Sequence, residues 1–147
     1  MTNDMNELHP RIREKAAQAL ATMNSDPQLK ALGVTSVAPN ETLRSLPTQM
    51  AYYSRGRMPK ATDVRAMYKA AGLYNPTDLE CATQITWTLE SKHILGLAVD
   101  FVPQRGGKNW WCPPLEVWER MGQIGEQCGL SWGGRWKNTD SPHFEES

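Results

Sequence analysis

Apolar residues recur at helical spacing along the first third of the chain. Ile12, Ala16, Ala19, Leu20 and Met23 share one face of a helix expected over Pro10–Met23. A short second helix is expected over Pro27–Leu32, stopped by Gly33. Alternation in Val34–Ala38 then predicts a strand, and Ser45-Leu46-Pro47 reads as the start of another helix, with proline in its first turn. Thr62 is placed to cap a helix to Ala71, in which Val64, Met67, Tyr68 and Ala71 share a face before Gly72. The period then shifts toward two. Thr83–Glu90 alternates and is rich in β-branched and aromatic residues, which predicts a strand, and Gly96–Val102 predicts another. Pro113-Pro114 opens a helix with the stripe Leu115, Val117, Trp118, Met121, Ile124 and Cys128, ended by Gly129. Leu130–Trp132 and His143–Glu145 close the chain as short strands. Helices first and strands later make an α+β fold, a small, mostly antiparallel sheet with helices packed on it.

One position resists this pattern. Asp100 follows Leu97-Ala98-Val99 and precedes Phe101-Val102, where a strand buries its side chains. A carboxylate there is either solvated or paired.

Composition narrows the function. A chain of 147 residues fits one domain with a core of its own. Its 16 basic and 16 acidic residues balance, which argues against nucleic acid or an anionic membrane as main partner. No signal-peptide core and no stretch of about 18 apolar residues occurs, so cytoplasmic synthesis without membrane insertion is expected. Cys81, Cys112 and Cys128, odd in number and without a C-x-x-C pair, read as free thiols, with Cys128 on an apolar helix face.

His93 lies seven residues before Asp100, and His143 stands near the C-terminus. Two imidazoles and one carboxylate are the donor count of a catalytic zinc site, which keeps a fourth position for water. Such a set leaves the ion net positive charge, enough to lower the pKa of that water to about 7. Asp140, three residues before His143, is close enough to handle the water's proton. A single histidine is more often a core or surface residue, and the spacing differs from the H-E-x-x-H of helical zinc proteases.

The motifs add a resemblance. "SKHILGLAVDF" supplies Ser91, His93, Gly96, Ala98 and Asp100 of an S-x-H-x-x-G-x-A-x-D segment. "SWGGRWKNTDSPHFE" supplies Trp132, Gly133, Gly134 and Trp136 of W-G-G-x-W, then Asp140 and His143 of a D/E-x-x-H close. Upstream, "TLRSLPTQMAYYSRGR" offers Arg44, Ser45, Gln49, Gly56 and Arg57. In these elements, from about Val34 to Glu145, the chain resembles the VanY-like zinc peptidases, the D-alanyl-D-alanine carboxypeptidase and L-alanyl-D-glutamate endopeptidase family, which has the Hedgehog/DD-peptidase fold. Many of its members are phage endolysins.

The resemblance implies one catalytic Zn²⁺ held by His93, Asp100 and His143, with Asp140 as general acid/base. It implies Arg44 as the group holding the oxyanion or a substrate carboxylate. Ser91, Gln49 and Trp132 are candidate substrate contacts, though Ser91 could equally cap a turn and Arg44 alone would read as a surface ion pair. The implied substrates are bacterial peptidoglycan stem peptides, cut by metal-activated water in a monomeric enzyme. Aspartate at 140, in a D-x-P-H close, favours the L-alanyl-D-glutamate bond over release of a terminal D-alanine. A non-catalytic zinc-stabilised cell-wall-binding module is the reading from another class. An endolysin would wait in the host cytoplasm for holin-type release. The expected organisation is one domain over 1–147, with a helical part to about residue 33 and an insertion at about 58–82 serving as lid, specificity wall or extra packing. Arg105, Lys108, Trp110 and Trp111 form a loop that either grips the wall or packs. His9 carries no assigned role.

Overall fold

The computed structural model describes residues 2–147. Helix α1 spans Pro10–Ser25 and α2 Pro27–Ala31; strand β1 spans Ser36–Glu41. Helices α3 (Leu46–Ser54), α4 (Ala61–Ala70) and α5 (Asp78–Ala82) follow. The second half carries β2 (Ala98–Arg105), β3 (Lys108–Asn109), α6 (Leu115–Gln127), β4 (Leu130–Trp132) and β5 (His143–Glu146). All the pairings are antiparallel. The order is β1-β2-β5-β4, with β3 joined to β2. This is the α+β arrangement expected from the pattern.

Helices α1 and α6, with α2, cover one face of that sheet. Ile12, Ala16, Ala19 and Met23 of α1 and Val117, Met121 and Ile124 of α6 meet Val99, Phe101 and Phe144 in a single core. Two glycines in α6 set how closely it sits. A Cβ on Gly122 would lie 2.3 Å from the Trp132 ring, and one on Gly125 would lie 2.3 Å from Phe144. Each glycine costs the helix about 1 kcal/mol relative to alanine, and ring packing against bare backbone offsets it.

Four expectations need correction. Thr83–Glu90 is not a strand: it joins no sheet, and Ile85, Trp87 and Leu89 are exposed. The β-like alternation has no second surface on which to bury its apolar face, and the backbone is pinned by side chains instead. Helix α4 is capped at Lys60, with no side-chain cap bond, rather than by Thr62. Its partner α5 falls where no helix was expected, although Thr77 and Glu80 make a reciprocal capping box there. The first strand runs later than expected, to Glu41, with a register shift between Pro39 and Glu41.

Helices α4 and α5 build a satellite core on α3 from Ala51, Val64, Tyr68 and Cys81. Arg55 ties it together, donating from Nε to the Glu80 carbonyl at 2.6 Å and from Nη1 to the Tyr68 hydroxyl at 3.4 Å. The region expected to be an insertion therefore buttresses α3. The 103–114 segment, expected as a loop, is in part a hairpin of β2 and β3, with Arg105 opposite Lys108. After it Trp110 packs against the main core beneath Arg105, while Trp111 is exposed. His9 caps α1, its Nδ1 accepting from Arg11 N at 3.1 Å. Among the described residues all three cysteines are free thiols. No helix among them is long and apolar enough to cross a membrane.

Asp26 links α2 to α6. Its carboxylate accepts from Leu29 N at 3.0 Å, capping α2, and from Arg120 at 2.8 and 3.1 Å. The Arg120 hydrogen bond outweighs burial and holds the Asp26 carboxyl below the usual carboxylate range. Stability linked to a lowered pKa is present above the pKa of free aspartate and lost as pH falls through the folded-state value. Asp26→Asn should cost about 2 kcal/mol at neutral pH. Urea unfolding of both proteins should show the difference shrinking as the pH is taken into the acid range.

Candidate metal centre

Strand register supplies two of the three donors. Asp100 of β2 stands directly opposite His143 of β5, one step from the core pair Val99–Phe144. Successive strand residues face opposite ways, so burying Val99 and Phe144 beneath the helices turns Asp100 and His143 to the other face. The third donor comes from the turn before β2. Residues Lys92–Leu95 form a 3₁₀ turn whose N-cap is Ser91, with Oγ accepting from His93 N at 3.2 Å. Gly96 ends it at φ +69°, a conformation glycine adopts without a Cβ clash. A Cβ there would also lie 3.0 Å from His9 N, where the N-terminal segment crosses and His9 N donates to the Gly96 carbonyl.

The ligand atoms converge. His93 Nε2 lies 3.2 Å and His143 Nδ1 3.3 Å from the same Asp100 oxygen, Oδ1. One donor atom from each residue falls within 4.8 Å of the others. The histidines are buried and Asp100 is 17% exposed at its side chain. On its far side, His143 Nε2 meets Glu145 Oε2 at 2.8 Å. That carboxylate selects Nε2 as the protonated nitrogen, since only an N–H can pair with it at that distance. Nδ1 then presents a lone pair toward Asp100, and two acceptors face each other at 3.3 Å. Such an arrangement requires a cation between them, a proton or a metal.

The electrostatics point the same way. Burial would raise the Asp100 carboxyl, but His143 and His93 hold it far below the usual carboxylate range. Burial would lower the His143 imidazole, yet its bonds to Asp100 and Glu145 push it up to about 9. The site thus demands positive charge in a buried setting. With two nitrogens and one carboxylate oxygen, the donor set suits zinc, and a fourth position remains for water or substrate.

Asp140 approaches from the turn between β4 and β5. Its backbone N donates to the Gly133 carbonyl at 2.9 Å, and His143 N donates to the Asp140 carbonyl at 3.1 Å. A Cβ on Gly133 would meet that Asp140 carbonyl at 2.4 Å, so the turn closes only on glycine. Asp140 Oδ2 comes to 3.9 Å from His143 Nδ1, with the side chain half exposed. Partial burial, and next the negative charge of Asp100, raise its carboxyl above the ordinary range. That is the direction a proton-carrying group requires.

These groups lie in a cleft of about 890 Å³, which Arg44 also lines. Arg44 is not a surface ion pair. It is largely buried, bonded through Nε and Nη2 to Glu41 and through Nη1 to Gln49 Oε1 at 2.6 Å, over the Tyr52 ring. Burial opposes its charge, but Glu41 holds the guanidinium protonated. Of five N–H donors, these bonds use three.

The other candidates separate. Ser91 lines the cleft and caps the His93 turn. Gln49 is fully buried, and its amide nitrogen donates to the Thr88 carbonyl at 2.6 Å and to Thr86 Oγ1 at 3.2 Å. Trp132 lies in the core with Nε1 donating to the Ser141 carbonyl at 2.7 Å. Neither Gln49 nor Trp132 lines the cleft, so substrate contact for these two is replaced by internal bonding. Trp136 does line it, its ring tilted against that of His143 with the centroids 4.9 Å apart. Glu41, Lys92 and Glu145 escaped the sequence reading. Glu145 had a signal, since residues two apart on a strand share a face.

Residues 84–146 match the model of a family described as D-alanyl-D-alanine carboxypeptidase. The matched segment contains all three ligand candidates and Asp140. The fold resembles that of the Serratia marcescens L-Ala D-Glu endopeptidase ChiX, with a TM-score of 0.58 and 21% identity, over 97% of this chain and 83% of that one. It also resembles a point mutant of the vancomycin resistance D,D-pentapeptidase VanY from a VanB-type resistance cassette, in complex with Zn(II). There the TM-score is 0.51 and the identity 16%, over 95% of this chain and 72% of that one. No curated protein matches the sequence.

Glu145 also pairs with Lys92 Nζ at 3.2 Å, and Lys92 donates to the Glu146 carbonyl at 2.9 Å. This network joins the His93 turn to the strand carrying His143. Glu145→Ala should weaken zinc binding about 10- to 100-fold in a chelator-competition titration, with circular dichroism unchanged.

Proposed function

We propose that this chain is a zinc metallopeptidase of peptidoglycan, of the kind whose family model its residues 84–146 match, and that it cuts stem peptides at the L-alanyl–D-glutamate bond. The observation that carries the hydrolytic reading is the convergence of His93, Asp100 and His143 on one point, with Asp140 beside it in an open cleft. The D-x-P-H close, with aspartate at 140, supports the choice of bond.

His93, Asp100 and His143 would hold the zinc. Bound there, zinc supplies Lewis acidity, lowering the pKa of a water toward 7 and polarising the scissile carbonyl. Asp140, half exposed and with its carboxyl raised, accepts the proton of the attacking water and passes it to the departing amine. Arg44, held by Glu41 and Gln49, turns its two remaining N–H groups to negative charge on the substrate: the developing oxyanion or a stem carboxylate. Glu145 keeps the Nδ1 lone pair of His143 aimed inward. Within this reading the chain serves as an endolysin, kept from its substrate in the host cytoplasm until the membrane is opened.

Digestion of purified peptidoglycan, with and without a chelator, followed by mass spectrometry tests the bond. New N-terminal D-glutamate, abolished by chelation, is the expected product. Free D-alanine would select the carboxypeptidase reading, and no product at all would favour a binding module. Asp140→Asn should keep stoichiometric zinc and the fold but lose about 10²- to 10⁴-fold in kcat. Near-normal turnover would remove Asp140 from its role. His93→Ala and His143→Ala should lose zinc and activity together.

A further inference from the structure

One part of the cleft lining is the segment expected to be a strand. Residues 85–88 line the cleft, and Trp87 is 62% exposed beside Ile85 at 41%. Trp136, 40% exposed, lines the same cleft. The cleft thus combines ionic groups, Asp100, Asp140 and Arg44, with exposed apolar and aromatic ones.

Trp87 sits on a fixed platform. Gln49 Nε2 holds the Thr88 carbonyl at 2.6 Å and Thr86 Oγ1 at 3.2 Å, while Gln49 Oε1 accepts from Arg44. Glu90 N donates to Thr88 Oγ1 at 2.8 Å. The segment is thus bonded on both sides of Trp87, and through Gln49 its position is tied to that of Arg44. An indole held exposed beside the reacting groups is organised for a ligand before the ligand arrives.

We propose that Trp87, with Ile85, forms a saccharide subsite that takes the N-acetylmuramyl sugar bearing the stem peptide. The inference rests on the L-alanyl–D-glutamate reading. The alanine of that bond is amide-linked to the lactyl group of the sugar, so the sugar follows one residue from the scissile carbonyl. The stem beyond the cut carries charged groups suited to the ionic groups of the cleft. The sugar carries no charge, and its C–H faces present positive polarity to the negative face of an aromatic ring. A polar rim around such faces suits a half-exposed indole, whose N–H remains free to meet water or a hydroxyl.

The test compares two substrates with the same scissile bond, an N-acetylmuramyl stem tetrapeptide and the same peptide with a simple N-acetyl cap. The wild-type enzyme should favour the muramyl substrate by about tenfold in kcat/KM, through KM. Trp87→Ala should erase that preference, leaving the capped peptide, the zinc content and the melting temperature unchanged, and Trp87→Phe should restore part of it. Equal cleavage of both substrates by the wild type, or an equal loss on both in Trp87→Ala, would overturn the subsite while leaving the choice of bond intact. Release of D-alanine in place of cleavage at D-glutamate would refute the bond assignment, and the subsite with it. Should Trp87→Ala fold poorly, inhibition of the wild type decides. N-acetylmuramyl-L-alanine should inhibit cleavage of the capped peptide at about tenfold lower concentration than N-acetyl-L-alanine, and equal inhibition would overturn the subsite.

Discussion

The register between β2 and β5 is the constraint on which the site depends. Val99 opposite Phe144 fills the core, and the next rung, Asp100 opposite His143, is thereby forced to the other face. A slip of one residue would exchange the two sets, burying a carboxylate among apolar side chains and exposing a phenylalanine. Core packing and ligand placement are therefore the same choice. The apolar neighbours that make Asp100 look misplaced are what hold it rigidly.

A site built this way concentrates acceptors where the protein offers few cations. Asp100, Glu145 and Asp140 all approach His143, and the described residues give Asp100 only imidazole partners within ion-pair distance. A buried anion without a compensating charge is costly, so a bound divalent ion relieves an imbalance that the fold creates. Lys92 and Arg44 balance the margins, one against Glu145 and the other against Glu41. Arg44 is thereby fixed in place with two donors to spare, a different situation from a flexible surface guanidinium.

Support for the site comes from both ends of the chain. The N-terminal segment crosses at Gly96, bracing the turn that carries His93, and α6 seats Trp132 and Phe144 through its two glycines. The helices between β1 and β2 act through α3. Their small core steadies α3, whose Gln49 fixes both Arg44 and the 86–88 segment.

Much of this was legible in the sequence, because periodicity and short-range chemistry are local. The apolar stripes of α1, α4 and α6 marked their helices, and His93, Asp100, Asp140 and His143 were singled out by the motifs in which they stand, their spacing alone being a weak signal. Thr83–Glu90 defeated the same logic. Its alternation is that of a strand, but whether a surface lies beneath to receive one face is settled by the placement of other elements. Gln49 and Trp132 likewise looked like substrate contacts until their partners, far along the chain, were seen to use their polar atoms. The sequence alone determined which residues could bind a metal and which elements would carry them. Only the tertiary structure decided that Asp100 and His143 share a rung, that Glu145 backs His143, and that Trp87 faces the cleft. Those relations join residues tens of positions apart, and register and packing across the sheet, rather than any local preference, set them.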